Sequence, residues 1–269
     1  MKRIIHDFRL FPFWLQKIFW RFMHRVLVSR YTGKELEYLN YGYAYLDDEE
    51  PISISDTDVL EKYCLQLYLH TIGDTNLNGK EILEVGSGRG GGAAYLSRNF
   101  QKKSYIGLDL SKRVIRYCNR NYAIQGLSFI YGNAQKLPFE NQSFDAIVNI
   151  ESSRDYPDMD AFLSESFRVL RPNGRLLFAD LRSSEDVPLL LEQFSKAGFV
   201  IVRERNIVKN VIKALELDTK RRRDLVKQKA PKLLRGIATE FTGVKGSARH
   251  EGFVDGSLVY LSYILEKPE

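Results

Sequence analysis

Histidine and cysteine are scarce, four and two in 269 residues. Cys64 and Cys118 stand far apart with no metal-ligand spacing, which excludes a zinc module and a disulfide scaffold. Both are expected as buried thiols of a reducing compartment, and no metal is expected. No hydrophobic run is long and uncharged enough to cross a bilayer. Charged residues recur through residues 1–30, so no cleavable export signal is expected and the predicted location is cytoplasmic. Neither sign of charge dominates. The 40 Lys and Arg against 34 Asp and Glu leave +6, too little to argue for a nucleic-acid partner. That excess gathers at the N-terminus and between Lys220 and Arg235, where it suits an anionic surface. Internal repeats and low-complexity linkers are absent, and no feature specifies an oligomeric state.

What is present is a strand–loop–helix–strand unit from Glu81 to Asp109, reading EILEVGSGRGGGAAYL and then SYIGLDL. Ile82, Leu83 and Val85 form a short apolar run that stops at Gly86, as a buried parallel strand does. Gly86, Gly88 and Gly90 leave the backbone bare at the turn into a helix, so a ligand can lie on main-chain N–H groups. Asp109 follows about 20 residues on, where a carboxylate can take both hydroxyls of a ribose. The glycines also satisfy the dinucleotide pattern, which by itself discriminates weakly. Glu84 favours a ligand with an ammonium group, because a carboxylate two residues before the first glycine would repel a pyrophosphate. No cation stands between Gly86 and Gly88 to neutralise a phosphate.

The flanking segments follow in order. In residues 1–30, Phe11, Phe13, Trp14, Phe19 and Trp20 alternate with Lys17, Arg21 and Arg25. Two readings stand: a basic aromatic helix lying in a membrane interface, or a lid packed over the body of the protein. Tyr38, Tyr41, Tyr43 and Tyr45 bring aromatic faces together before the core, either to hold a cation or as surface tyrosines of a turn. Asp56 or Asp58 is expected to cap a helix that Gly73 stops, with His70 as a helix-end residue. LSFIYGNAQ reads as a third strand ending at Asn133 and Ala134, and the run to Ile150 as a fourth, ending at Glu151. A helix closed by Pro172 and Gly174 precedes a fifth strand carrying Asp180 and Arg182, and VIVRERN gives a sixth. Residues 207–252 look helical before a last strand, SLVYLSYILEK. The expected organisation is a helical aromatic cap (1–50), a core (51–206), a helical substrate-cap insertion (207–252) and the last core strand (253–269).

EILEVGSGRGG, YIGLDLS, GNAQKLPFENQSFDAIVNIES and RVLRPNGRLLFADLR, in that order, resemble the four signature blocks of class I S-adenosylmethionine-dependent methyltransferases. From about Tyr38 to Lys267 the chain is more closely similar to the phthiotriol/phenolphthiotriol dimycocerosate methyltransferases and related small-molecule O-methyltransferases. GGGAAYL, NIES with YP shortly after, FADLR and RGIATEFTGVKG carry that likeness. The resemblance implies a doubly wound, Rossmann-like α/β fold, with seven strands, an antiparallel last strand and a helical cap. S-adenosylmethionine is the implied cofactor. By position, Glu84, Gly86 and Gly88 would hold its methionine end, Asp109 its ribose, and Asn133 with Ala134 its adenine. Tyr43, Ser87, Gly90, Leu110, Gln135 and Glu151 complete the expected binding set. Asn133 stands where Asp is usual and keeps only the acceptor.

A second departure concerns the chemistry. Where many relatives place a His after the fourth strand as proposed base, this chain reads SSRDYP with Arg154. Methyl transfer from a sulfonium needs alignment and exclusion of water, but a neutral alcohol must still lose a proton. Arginine stays protonated and cannot take it. Asp180 is then one candidate base, with Arg154 orienting it or stabilising an oxyanion. A second reading is an acidic acceptor, a phenol or enol, whose ionisation Arg154 favours. A third makes Arg154 and Asp155 cap or ion-pair residues. The expected partner is a hydrophobic small molecule accepting methyl on a hydroxyl, with peripheral membrane contact through residues 1–30. Transfer to carbon or nitrogen is the alternative. RNA is less expected, since no NPPY-like tetrapeptide follows the fourth strand.

Overall fold

Apolar runs with almost no charge form the middle of the sheet. The computed structural model describes residues 37–50, 52 and 61–269. Seven strands pair in the order β3-β2-β1-β4-β5-β7-β6. At the centre, β1 (Glu81–Val85) runs parallel to β2 (Ser104–Asp109) and to β4 (Phe144–Ile150). β3 (Leu127–Tyr131) extends one side, and β5 (Leu170–Ser183) continues the other. β7 (Leu258–Glu266) inserts antiparallel between β5 and the edge strand β6 (Val200–Asn206). This is the expected doubly wound sheet with its antiparallel last strand.

Side chains alternate along each strand into two cores. Ile82, Leu177 and Ala179 point to the face covered by α1 (Lys62–Ile72), α2 (Gly91–Asn99) and α3 (Lys112–Asn121). Leu83, Val85, Leu176 and Phe178 point to the other, under α4 (Met159–Val169) and α5 (Val187–Lys196). Burial on both faces explains why the central strands read as continuous hydrophobic runs. Between β6 and β7 the chain makes α6 (Val208–Lys229), α7 (Arg235–Phe241) and α8 (Ala248–Val254), so the segment expected to be helical is helical. No described helix is long and apolar enough to cross a membrane.

Local expectations differ at several points. The helix before the fifth strand ends at Val169, and Pro172 and Gly174 lie within β5 instead of closing the helix. The chain bulges there: β4 pairs Phe144 with Leu170 and then jumps to Ala146 with Arg175. Asn173 takes a φ of 61°, and Asn173 and Gly174 exchange backbone hydrogen bonds with Lys267. Asn133 and Ala134 lie beyond β3 in a turn closed by an isolated bridge from Asn133 to Lys136. Gly73 does stop α1. Its predicted caps, Asp56 and Asp58, and the aromatic segment 1–30 lie outside the described residues.

Candidate active site

The carboxyl ends of β1, β2 and β4 open on a broad cleft. Gly86 to Arg89 line it, with Asp109 and Leu110 at the end of β2, Asn133 to Gln135 beyond β3, and Glu151 and Ser152 beyond β4. Open α/β sheets bind ligands at such strand ends. Gly86 has φ 79°, and a β-carbon there would stand 1.8 Å from Ser152 Oγ, so only bare backbone fits.

The loop's N–H groups are turned inward, however. Gly86 and Ser87 donate to the Leu108 carbonyl at 2.8 and 3.0 Å, and Gly90 donates to the Ser87 carbonyl at 3.0 Å. Gly88 donates to Asp109 Oδ2 at 3.1 Å. The expectation that a ligand lies on these donors is therefore corrected: the glycines supply room, and four of the loop's N–H groups are satisfied by the protein. A pyrophosphate would find those four donors taken.

Asp109 lines the cleft with its carboxylate pinned, Oδ1 accepting from the Ser111 N–H at 2.8 Å and Oδ2 from Gly88. Asn133 is exposed, and its Oδ1 accepts from the Gln135 N–H at 3.0 Å, which holds the turn open toward the cleft. Glu84 departs from expectation. It is 1% exposed, and its two oxygens accept from the hydroxyls of Tyr68 and Tyr105, each at 2.8 Å. Burial pushes its carboxyl up to about 7 against those two hydrogen bonds, with Asp109 adding to the rise. Tyr68, not Glu84, reaches the cleft. Tyr43 is corrected more firmly. It is fully buried away from the cleft, its ring stacked on His70 at 4.3 Å and its hydroxyl donated to Glu49. His70 is pushed down to about 4 by burial, with Arg203 adding to it, so it stays neutral at the end of α1.

Around β4's end the side chains form a closed ionic network. Glu151, at φ 47°, accepts from the Tyr41 N–H and the Tyr260 hydroxyl on Oε1, and from Arg154 Nη1 at 2.9 Å on Oε2. Asp180 is fully buried in β5. Its oxygens accept from Ser153 Oγ at 2.7 Å, the Arg154 N–H at 2.9 Å and the Leu181 N–H at 2.8 Å. Arg182 Nη1 stands 3.1 Å away and Arg154 Nη1 3.7 Å. Burial alone would raise this carboxyl, but Arg182 and Arg154 hold it below its ordinary range. A buried carboxylate with these donors and a lowered pKa is a poor proton acceptor, so the expectation of Asp180 as base is corrected. Burial works against the Arg154 charge, yet Glu151 and Asp180 more than offset it and keep the guanidinium protonated.

A second, apolar cavity lies between the 38–41 segment and helices α6 and α7. Leu225, Val226, Ala230, Ala238 and Phe241 line it. Tyr38, Leu39 and Asn40 line both cavities and so form a septum common to the two. Charged side chains clamp that septum. Glu61 Oε2 accepts the Glu37 N–H at 2.8 Å, and Arg222 Nη2 donates to the carbonyls of Asn40 and Tyr41, both at 3.1 Å. Sequence reasoning missed Glu61, Tyr68 and Arg222, whose partners lie 24, 16 and about 180 residues away.

S-adenosylmethionine fits the cleft. Ser87 Oγ is buried there with no hydrogen-bond partner among the described residues, and the rings of Tyr38 and Tyr68 meet edge to face at 5.9 Å beside the loop. Aromatic faces and a carboxylate suit a sulfonium and a ribose.

Comparison with known proteins agrees. A methyltransferase-domain family profile matches residues 83–178. The phthiotriol/phenolphthiotriol dimycocerosates methyltransferase of Mycobacterium leprae (strain TN) is 36% identical over 256 residues, covering 94% of this chain and 93% of that protein. The fatty-acid O-methyltransferase of Mycolicibacterium smegmatis is 37% identical over 253 residues, covering 92% and 89%. Among solved structures, geranyl diphosphate C-methyltransferase from Streptomyces coelicolor A3(2), in complex with S-adenosyl-L-homocysteine, superposes with a TM-score of 0.63 at 18% identity, covering 90% and 95%. The [4+2]-cyclase SpnF superposes at 0.65 and 18%, covering 86% and 87%; at such identities the likeness is one of fold. The chain belongs to the family of S-adenosylmethionine-dependent methyltransferases that holds the phthiotriol/phenolphthiotriol dimycocerosates and fatty-acid O-methyltransferases, and is itself such an enzyme.

Proposed function

We propose that the enzyme moves the methyl group of S-adenosylmethionine to a hydroxyl of a lipid-like acceptor. The observation that carries this reading is the apolar cavity behind the septum, which shares Tyr38, Leu39 and Asn40 with the cofactor cleft. A long hydrocarbon buries its surface there while its polar end meets the sulfonium at the shared wall. The relatives' names point the same way, since both denote lipid substrates. In this reading Asp109 takes the ribose hydroxyls, Asn133 Oδ1 the adenine amino group with Ala134, Gln135 and Leu110 around the ring, and Gly86 to Gly90 the methionine end. Glu84 acts on the ammonium group through Tyr68. Arg154 and Glu151 brace the end of β4, and α6 to α8 serve as the acceptor cap. Residues 1–30, basic and aromatic, bring the enzyme to the membrane surface where such acceptors reside.

The test has two stages. Calorimetric titration should show micromolar binding of S-adenosylmethionine and S-adenosylhomocysteine, no binding of NAD, and loss of both in Asp109→Ala. Labelled methyl groups are then offered to long-chain alcohols and phenols, fatty acids and RNA. Label in an alkali-stable ether supports the reading. Label on carbon or nitrogen, or in RNA alone, sinks it. A fatty-acid ester as sole product makes a carboxylate the acceptor, a second reading favoured by the absence of a usable base among the Glu151 and Asp180 carboxylates.

A further inference from the structure

A hydroxyl acceptor needs a base, and the carboxylates around the two cavities differ in whether an oxygen lacks a hydrogen-bond donor. Asp109, Glu151 and Asp180 each accept from two or more donors, as described above. Glu61 is different. It stands just before α1 on the wall of the apolar cavity and is 7% exposed. Oε2 accepts the Glu37 N–H at 2.8 Å, so the carboxylate rests against the septum itself. Oε1 is buried with no hydrogen-bond donor among the described residues. Its nearest cation is Arg221 Nη1 at 3.6 Å, and Arg221 is already held by both oxygens of Asp218 at 2.6 Å. Asn40 repeats the pattern on the same wall. Its Nδ2 donates to the Cys64 carbonyl at 3.1 Å, which fixes the amide's orientation because a carbonyl only accepts, and its Oδ1 has no partner among the described residues. Two orphan acceptors on the wall of an apolar cavity call for a ligand that brings a donor.

We propose that Glu61 is the general base of the methyl transfer. The inference rests on the hydroxyl-acceptor reading above. The acceptor's O–H proton passes to Glu61 Oε1 as an oxygen lone pair forms the bond to the methyl carbon and the carbon–sulfur pair returns to sulfur. The products are the methyl ether, S-adenosylhomocysteine and a protonated Glu61, which returns its proton to solvent. Burial pushes the Glu61 carboxyl up to about 7, while Arg221 and the backbone N–H groups of Glu37 and Tyr38 hold it from rising further, so it can both accept and release a proton near neutrality. The charged and titratable groups that face it are Arg221, Arg222 and Asp218 of α6, Glu37 of the septum and Cys64 of α1.

Glu61→Gln tests this, because the amide oxygen still accepts from Glu37 and the volume is kept. Turnover of an alcohol or phenol acceptor should fall at least 100-fold, within the range expected for a lost general base. S-adenosylhomocysteine affinity, measured by calorimetry, should change by less than about twofold, since the base is not part of the cofactor site. The rise in wild-type kcat/KM near pH 7 should vanish. In protein labelled with [13C]carboxyl glutamate, one resonance titrating near pH 7 should be missing from the variant. Undiminished turnover overturns the proposal, and so does a loss of cofactor affinity in proportion to activity, which would make Glu61 only a clamp of the septum. If the wild-type enzyme methylates no alcohol or phenol at all, the acceptor reading has failed and the base falls with it, an outcome separate from either result in the variant.

Discussion

Asp180 lies at the carboxyl edge of β5, as its place in FADLR requires, yet its partners decide its chemistry. Arg182, Arg154 and Ser153 surround the carboxylate, and removing its charge takes an anionic partner from two largely buried guanidiniums. Asp180→Asn should therefore cost about 3–5 kcal/mol of stability, read by denaturant unfolding, with the pH profile of turnover unmoved. A shifted acid limb in a variant of native stability would restore Asp180 as the base. Glu84 makes the complementary case. Its carboxyl is raised from 4.5 to about 7, so the folded state binds the proton more tightly than the unfolded chain. The stability this contributes is complete below about 4.5 and is lost as pH rises to about 7, a change on the order of 3 kcal/mol for a fully buried group. Glu61 acts in the same direction, so Glu84→Gln should flatten the decline only in part. An unchanged slope in chemical denaturation between pH 4.5 and 7.5 would show that Glu84 is not held as described. Both positions were legible in the sequence; their partners were not. Tyr68 and Tyr105 reach Glu84 from α1 and β2, and no local spacing announces a tyrosine pair across a strand.

At the scale of elements, legibility followed burial. β1, β4 and the second half of β5 are apolar on both faces and could be located from composition alone. RPNG was misread because Pro and Gly mark a helix end in most contexts. Here they form a bulge whose hydrogen-bond partner, Lys267, comes from the far end of the chain. The glycine loop was legible as a turn but not in the direction of its N–H groups, since that depends on Leu108 and Asp109 of the neighbouring strand. Gly86→Ala tests what the loop requires. The added β-carbon would meet Ser152 Oγ at 1.8 Å in a backbone of φ 79°, so cofactor affinity should fall more than 100-fold or the core should unfold. Adding Ser152→Gly removes the clash and leaves the φ strain, and should recover cofactor binding in part. Equal binding by Gly86→Ala and wild type would mean the turn is looser than the contact implies.

Across the whole molecule, two cavities share one wall that charges clamp from both sides. Glu151 holds the Tyr41 N–H from the β4 end, while Glu61 and Arg222 hold Glu37, Asn40 and Tyr41 from the helical side. An acceptor that enters through the apolar cavity passes Lys229 and Ala230, which line it at the end of α6. Lys227 and Lys232, exposed on either side of that stretch, add positive charge near the cavity. The basic, aromatic segment 1–30 carries the same sign, though it lies outside the described residues. Attraction of several lysines and arginines to acidic headgroups, with aromatic rings entering the interface, should place the enzyme on membranes that contain anionic lipid. Liposome flotation should therefore require such lipid, weaken as salt rises, and fail after deletion of residues 1–25, while the truncated protein still binds S-adenosylhomocysteine. Equal flotation of both proteins would move the membrane contact away from the N-terminus, to the α6 lysines or to none. Loss of cofactor binding on truncation would instead favour the segment as a lid over the cleft.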